Sequence, residues 1–225
     1  MRPSLVIFDC DGVLVDSEAI ANRVLAEHVT AAGLPMTVAE ARDVFLGKRW
    51  HEVVADVEER LGSALPDNWW DRHHQEREKV FREELQAVPG VASVLDVLAS
   101  VGVPCCVATQ ARLEKMEATL EITGLASYFP AATRFSADQV ARGKPHPDVF
   151  LYAADQIGIA AASCVVVEDS PQGVTAARGA GPGELGYRVG PGCRDSSAGG
   201  AHTKPARSHP RGTASVRNLA VASLR

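Results

Sequence analysis

Asp9 and Asp11 stand one residue apart, directly after the apolar run Leu5-Val6-Ile7-Phe8 and directly before Gly12. Two carboxylates at one such address repel unless a cation or a shared proton offsets them, so the pair is a candidate metal site and nucleophile. An ordinary Asp/Gly turn is equally consistent with these residues taken alone. A calcium loop is not, because Gly12 comes too early and Val13-Leu14-Val15 is apolar where further oxygen ligands would stand. Three more segments place polar residues at strand ends or in loops. Val107-Ala108 is followed by Thr109, Gly143-Lys144-Pro145-His146-Pro147-Asp148 fixes one cation in a Pro-flanked loop, and Val165-Val166-Val167 runs into Glu168-Asp169-Ser170. Singly, each reads as well as a turn residue, a surface charge, or acids at the positive end of a helix. Together they suit phosphoryl transfer, which needs positioning and charge neutralisation above all. Asp9, Asp11 and Asp169 are hard oxygen ligands suited to Mg2+, while Lys144 and Thr109 offer a charge and a donor to phosphoryl oxygens. One carboxylate can attack phosphorus, and a second can protonate the leaving alkoxide and then activate water.

Such residues need a scaffold that brings distant segments to one edge. An open parallel sheet does this, because its ligands bind beyond the carboxyl ends of the strands. Leu5–Phe8, Val103–Thr109 and Cys164–Val167 read as buried strands, with a weaker one near Ala132–Phe135. Helices are predicted over Val91–Leu98, from Leu113 through Met116 and Leu120 to Gly124, and after Ser170-Pro171. Another starts at Pro147 with Phe150, Leu151, Ala154 and Ile157 facing inward. Between Ser17 and about Gln86 only helical patterns occur. Ser17 is an N-cap candidate, followed by Ile20, Val24, Leu25, Val29 and Ala32 up to Gly33, then by Val38–Phe45, His51–Leu61 and Trp69–Leu85. The expected fold is α/β: a doubly wound, Rossmann-like parallel sheet core over 1–15 and 87–181, with an all-helical cap over 16–86 inserted after the first strand. His73 and His74, adjacent and flanked by charges, read as part of a solvated helix face rather than a metal pair.

Composition narrows the function classes. At 225 residues, 46% hydrophobic and 23% charged, the chain reads as a soluble globular protein. A net charge of -5 gives no reason to expect nucleic acid as a partner. No apolar stretch approaches the length of a bilayer span, and Met1-Arg2-Pro3 leads into the first strand without a leader. The five cysteines, Cys10, Cys105, Cys106, Cys164 and Cys193, lack zinc-site spacing and read as free thiols in a reducing cytoplasm. A cytoplasmic monomer or weak dimer is expected.

In content and order, four segments resemble the haloacid dehalogenase superfamily of hydrolases. They are Phe8-Asp9-Cys10-Asp11-Gly12-Val13-Leu14-Val15-Asp16-Ser17-Glu18, Val107-Ala108-Thr109, Gly143-Lys144-Pro145-His146-Pro147-Asp148, and Glu168-Asp169-Ser170-Pro171-Gln172-Gly173-Val174. The similarity is to the branch with a helical cap, near phosphoglycolate phosphatase and β-phosphoglucomutase, and covers residues 4–181. It implies that Asp9 is the nucleophile and Asp11 the general acid/base, with the Asp11 backbone carbonyl also on Mg2+. By the same resemblance Asp169 is a direct metal ligand, Glu168 assists it, and Thr109 and Lys144 hold the phosphoryl group. A second acid at Asp11 speaks against the dehalogenases themselves. Gln110 stands where the family usually has Ser or Asn beside the phosphate. Phe45-Leu46-Gly47-Lys48-Arg49-Trp50 resembles the family's substrate loop, which makes Gly47, Lys48, Arg49 and Trp50 candidate substrate-binding residues together with Gln110. The mutase branch has an Arg three residues after that glycine, where this chain has Trp50. The expected activity is therefore a Mg2+-dependent phosphatase acting through an aspartyl-phosphate on a small phosphorylated sugar, sugar acid or phosphoglycolate. The alternatives are a sugar phosphomutase, or an inactive or C-terminally damaged family member.

Beyond Gly181 the text changes. Residues 182–225 hold seven Lys and Arg against two acids, Gly-Pro-Gly-Ser punctuation and few large apolar side chains. Such a segment is expected to be disordered or to come from an altered reading frame. Glu184–Val189 reads as a degraded strand at best, which would leave Cys164–Val167 as an exposed sheet edge.

Overall fold

Four apolar side chains in a row leave strand β1 (Leu5–Phe8) no solvent face, and all four are buried. The computed structural model describes residues 3–45, 48, 50–181 and 187–188. By internal contacts the chain falls into two units, Asp16–Gln86 and Met1–Val15 with the chain from Ala87 onward. In the latter unit the Val88 N–H reaches Leu14 O at 2.9 Å and Val15 bridges Ala87, so the departing and returning strands of chain run side by side.

The Asp16–Gln86 unit is helical: α1 (Glu18–Ala31), α2 (Val38–Phe45), α3 (Trp50–Leu61) and α4 (Trp69–Glu84). Its core is built from Ala26, Val29, Ala41, Phe45, Val53, Val57 and Trp69. Ser17 precedes α1, but its hydroxyl makes no capping hydrogen bond, because its backbone is already helical at φ -86°, ψ -22°. An N-cap side chain reaches the next turn from an extended backbone.

His73 departs from the solvated position expected of it. Its ring is buried, lies nearly parallel to Trp69 at 6.1 Å, contacts Trp70 at 4.9 Å and meets the His28 ring edge-on at 5.2 Å. Its Nδ1 has no hydrogen-bond partner. Burial, reinforced by the positive charges of Arg77, His28 and His74, pushes the His73 imidazole down to about 3. Unfolded, the same group takes up a proton near pH 6.5. Between those values the unfolded chain binds more protons, so stability falls as pH drops below 6.5. At pH 5 the loss is about 2 kcal/mol relative to pH 7.5. His73→Phe keeps a ring in the stack and removes the proton. Its urea denaturation should lack this part of the pH dependence, and wild-type and variant curves that stay parallel from pH 7.5 to 5 would refute it.

After the helical unit, helices and strands alternate: α5 (Val91–Ser100), β2 (Cys105–Thr109), α6 (Leu113–Ile122), β3 (Arg134–Ser136), α7 (Asp148–Ile157), β4 (Cys164–Glu168), α8 (Pro171–Gly179) and β5 (Tyr187–Arg188). The sheet order is β3-β2-β1-β4-β5, and every pairing is parallel. This is the expected doubly wound α/β core. Strand alternation sends Leu5, Ile7, Cys106, Ala108, Cys164 and Val166 into one layer with α7 and α8. On α7 the buried residues are Val149, Phe150, Ala153 and Ala154, while Leu151 is 39% exposed. The inward arc is thus shifted from the expected one, placing Leu151 past its edge at 100° per residue. The thiols of Cys10, Cys105, Cys106 and Cys164 are free.

Phe8 pairs with Val107 on one side and Val167 on the other. That register delivers Asp9, Thr109 and Glu168 to the same sheet edge. β5 pairs Tyr187 with Val167 and Arg188 with Glu168, so the site end of β4 is flanked rather than left as the bare edge the sequence suggested. Residues 182–186 and 189–225, on which the tail expectation otherwise rests, lie outside the described residues. Among the described residues, no helix is long and apolar enough to cross a membrane.

Candidate active site

Asp9 follows β1, and its N–H is held by Val167 O at 2.9 Å, so strand pairing itself fixes where the carboxylate starts. The side chain is buried. Lys144 Nζ donates to Asp9 Oδ1 at 2.7 Å and to Glu168 Oε1 at 2.6 Å, and lies 4.9 Å over the Phe150 ring. Glu168 is fully buried. Its Oε2 accepts from the Ser170 N–H at 2.7 Å and the Ser170 hydroxyl at 3.0 Å. Ser170 in turn caps α8, its Oγ accepting the Gly173 N–H at 3.0 Å. A Cβ on Gly173 would lie 1.8 Å from Glu168 Oε1, so the helix can approach this carboxylate only because that residue has no side chain. The run from Glu168 to Gly173 is therefore one device: a buried acid, its cap and the space it needs.

Burial raises the Asp9 carboxyl to about 6. Lys144 works against that rise, while Glu168 and Asp11 add to it. Burial pulls Lys144 down, but Asp9 and Glu168 outweigh it and hold the ammonium above its ordinary value. Carboxylate oxygens of Asp9, Glu168 and Asp169 lie within 4.8 Å of one another. Gly12, at φ +78°, presents a bare Cα to Asp169, and a Cβ there would sit 2.1 Å from Asp169 Oδ2. Lys144 is hydrogen-bonded to two of these three carboxylates, Asp9 and Glu168. An all-oxygen, carboxylate-rich donor set of this kind fits Mg2+ rather than zinc.

Asp11 lies in the turn after β1, where Lys115 Nζ donates to its Oδ1 at 3.0 Å and its Oδ2 at 2.8 Å. The sequence reading missed Lys115. One signal was present: Lys115 sits in the first turn of α6, the end of a helix where a cation opposes the dipole. Thr109 is buried at the end of β2, and its Oγ1 accepts the Ala111 N–H at 3.1 Å. Gln110, expected to bind substrate, uses its Oε1 to accept the Lys144 N–H at 2.7 Å. A Cβ on Gly143 would come within 2.5 Å of that amide, so Gln110 braces the lysine loop.

The candidate substrate loop belongs to the helical unit. Lys48 is ion-paired with Asp56, which also holds Arg60, and lies 5.7 Å over the Phe45 ring. Trp50 is exposed and stacks on Trp70 at 5.9 Å. Gly47 and Arg49 lie outside the described residues.

A family model described as haloacid dehalogenase-like hydrolase matches residues 3–181. The chain is 29% identical over 181 residues to 6-phosphogluconate phosphatase of Escherichia coli K12, covering 80% of each chain. It is 31% identical over 186 residues to a phosphorylated carbohydrates phosphatase of Thermotoga maritima, covering 78% of this chain and 81% of that one. Its fold matches a haloacid dehalogenase family hydrolase from Deinococcus radiodurans R1 with bound phosphate and sodium. That match has a TM-score of 0.74 at 31% identity, over 88% of this chain and 86% of the other.

Proposed function

The chain belongs to the haloacid dehalogenase-like hydrolase family as a phosphoric monoester hydrolase, and we propose that it is a Mg2+-dependent phosphatase of a small phosphorylated sugar, sugar acid or phosphoglycolate. The observation that carries this reading is the buried Asp9–Lys144–Glu168 triplet beside Asp169 at the strand ends. Asp9, Asp169 and the Asp11 carbonyl would hold Mg2+, with Glu168 behind them. Bound there, the ion would neutralise phosphoryl oxygens.

In the first step an Asp9 carboxylate oxygen attacks phosphorus and the bond to the leaving oxygen breaks. Asp11, protonated at one oxygen, gives the leaving oxygen its proton and becomes the carboxylate, leaving an alcohol and an aspartyl-phosphate. In the second step Asp11 takes a proton from water, whose oxygen attacks phosphorus. The bond to Asp9 then breaks, freeing phosphate and restoring the carboxylate. Lys144 and the Thr109 hydroxyl hold phosphoryl oxygens through both steps, and Gln110 and Glu168 hold Lys144. Trp50, standing where the mutase branch has an Arg for a second phosphate, favours hydrolysis over a mutase. Buried free thiols suit a cytoplasmic enzyme, acting as a monomer or weak dimer.

Phosphate release from 6-phosphogluconate, hexose and hexitol phosphates and phosphoglycolate, with and without Mg2+, tests the reading. Release that needs the metal supports it and ranks the substrates. Metal-independent release, or turnover that needs a bisphosphate activator and yields no free phosphate, would overturn it.

A further inference from the structure

We infer that Lys115 is a positioning residue for proton transfer: it fixes the orientation of the Asp11 side chain, which in its protonated form must reach the leaving oxygen. The inference rests on the phosphatase reading of Asp11. A general acid works only within hydrogen-bond reach of the atom it protonates. The Asp11 backbone is fixed by the turn, through Gly12 N–H to Val15 O at 2.8 Å and Leu14 N–H to Cys10 O at 2.9 Å. Those bonds leave the side-chain torsions χ1 and χ2 of Asp11 among several staggered or broad wells. The two donations from Lys115, one to each oxygen of the ionised carboxylate, select one of them; when Asp11 is protonated, one oxygen keeps the ammonium and the other carries the proton.

The lysine itself stands on firm ground. Met116, Thr119 and Leu120 of α6 are buried, and Thr119 Oγ1 lies 3.6 Å from Cys10 Sγ. Lys115 and Thr119 are four residues apart on one helix face. They touch Asp11 and Cys10, adjacent residues of the same turn. Helix α6 is therefore docked on the catalytic turn at two points, with the ammonium at the outer one. This also accounts for a cation in a first helical turn: what it loses to the dipole it recovers from Asp11.

The test compares wild type, Lys115→Met, Lys115→Arg and Asp11→Asn on an alkyl substrate from the panel and on p-nitrophenyl phosphate, whose leaving group departs without a proton. kcat/KM reports the steps up to phosphoryl capture. Lys115→Met should lower kcat/KM on the alkyl phosphate about 10- to 100-fold, and by at least about tenfold more than on p-nitrophenyl phosphate. Asp11→Asn should show the same preference more strongly, and Lys115→Arg should restore most of the loss. A folding defect would instead cut both substrates alike, and equal losses, or none, would overturn the inference while leaving the phosphatase standing. If wild-type release does not require Asp9, the phosphatase reading fails and this inference falls with it.

Discussion

Asp9→Asn should abolish phosphate release while leaving the protein at least as stable as the wild type. The amide is nearly isosteric with the carboxylate but is no nucleophile, so activity should fall by at least about 10^4-fold. Stability should move the other way. Burial raises the Asp9 carboxyl to about 6, against the opposing pull of Lys144, which means that the folded chain disfavours the charge. With a raised folded value, the stability this group contributes is present in acid and is lost as pH rises through about 6. At pH 7, without added metal, replacing the charge removes that cost. The Lys144–Glu168 pair, 2.6 Å apart, then stands balanced, and the amide oxygen remains an acceptor for Lys144. Thermal melts in chelator, beside phosphate-release assays in Mg2+, check both halves. Retention of more than about 1% of the activity would remove Asp9 as the nucleophile. A marked drop in Tm would mean that the carboxylate is held for structure.

The parts of the site legible in the sequence are those that a parallel sheet makes legible. Asp9, Thr109 and Glu168-Asp169 each follow an apolar run, and strand pairing brings those run ends together without further help. Lys144 was legible because its loop is punctuated by glycine and prolines. What escaped depends on helix phase and on contacts across long sequence separation. Lys115 reaches Asp11 over 104 positions, and nothing local to Leu113–Ile122 says which residue will face the turn. Gln110 looked like a phosphate neighbour by position, yet its amide is long enough to reach back to the Lys144 backbone. His73 was read from its charged neighbours, whereas its burial is set by Trp69, Trp70 and His28, the last from another helix. On α7 the apolar residues are dense enough to fit two phases, and only packing against the sheet chose Val149 and Ala153 over Leu151.

Lys144→Met should cost both activity and fold, and the two losses have one origin. The ammonium is buried between Asp9 at 2.7 Å and Glu168 at 2.6 Å. Methionine fills much the same space beside Phe150 but leaves two buried carboxylates facing each other. Removing one partner of a buried ionic cluster costs about 3–5 kcal/mol, or roughly 10 °C in a chain of this size. Loss of the charge from the phosphoryl oxygens should lower kcat by about 10^3-fold as well. Folding and catalysis separate in the double variant. If repulsion between Asp9 and Glu168 is the cause, Lys144→Met should destabilise an Asp9→Asn background by at least about 1 kcal/mol less than it destabilises the wild type. Activity would stay absent in both. Additive losses in urea denaturation would place the cost in packing around Phe150 instead. A coupling of the expected sign makes Lys144 the group that lets two acids share one buried strand edge, which is the condition for having a nucleophile there at all.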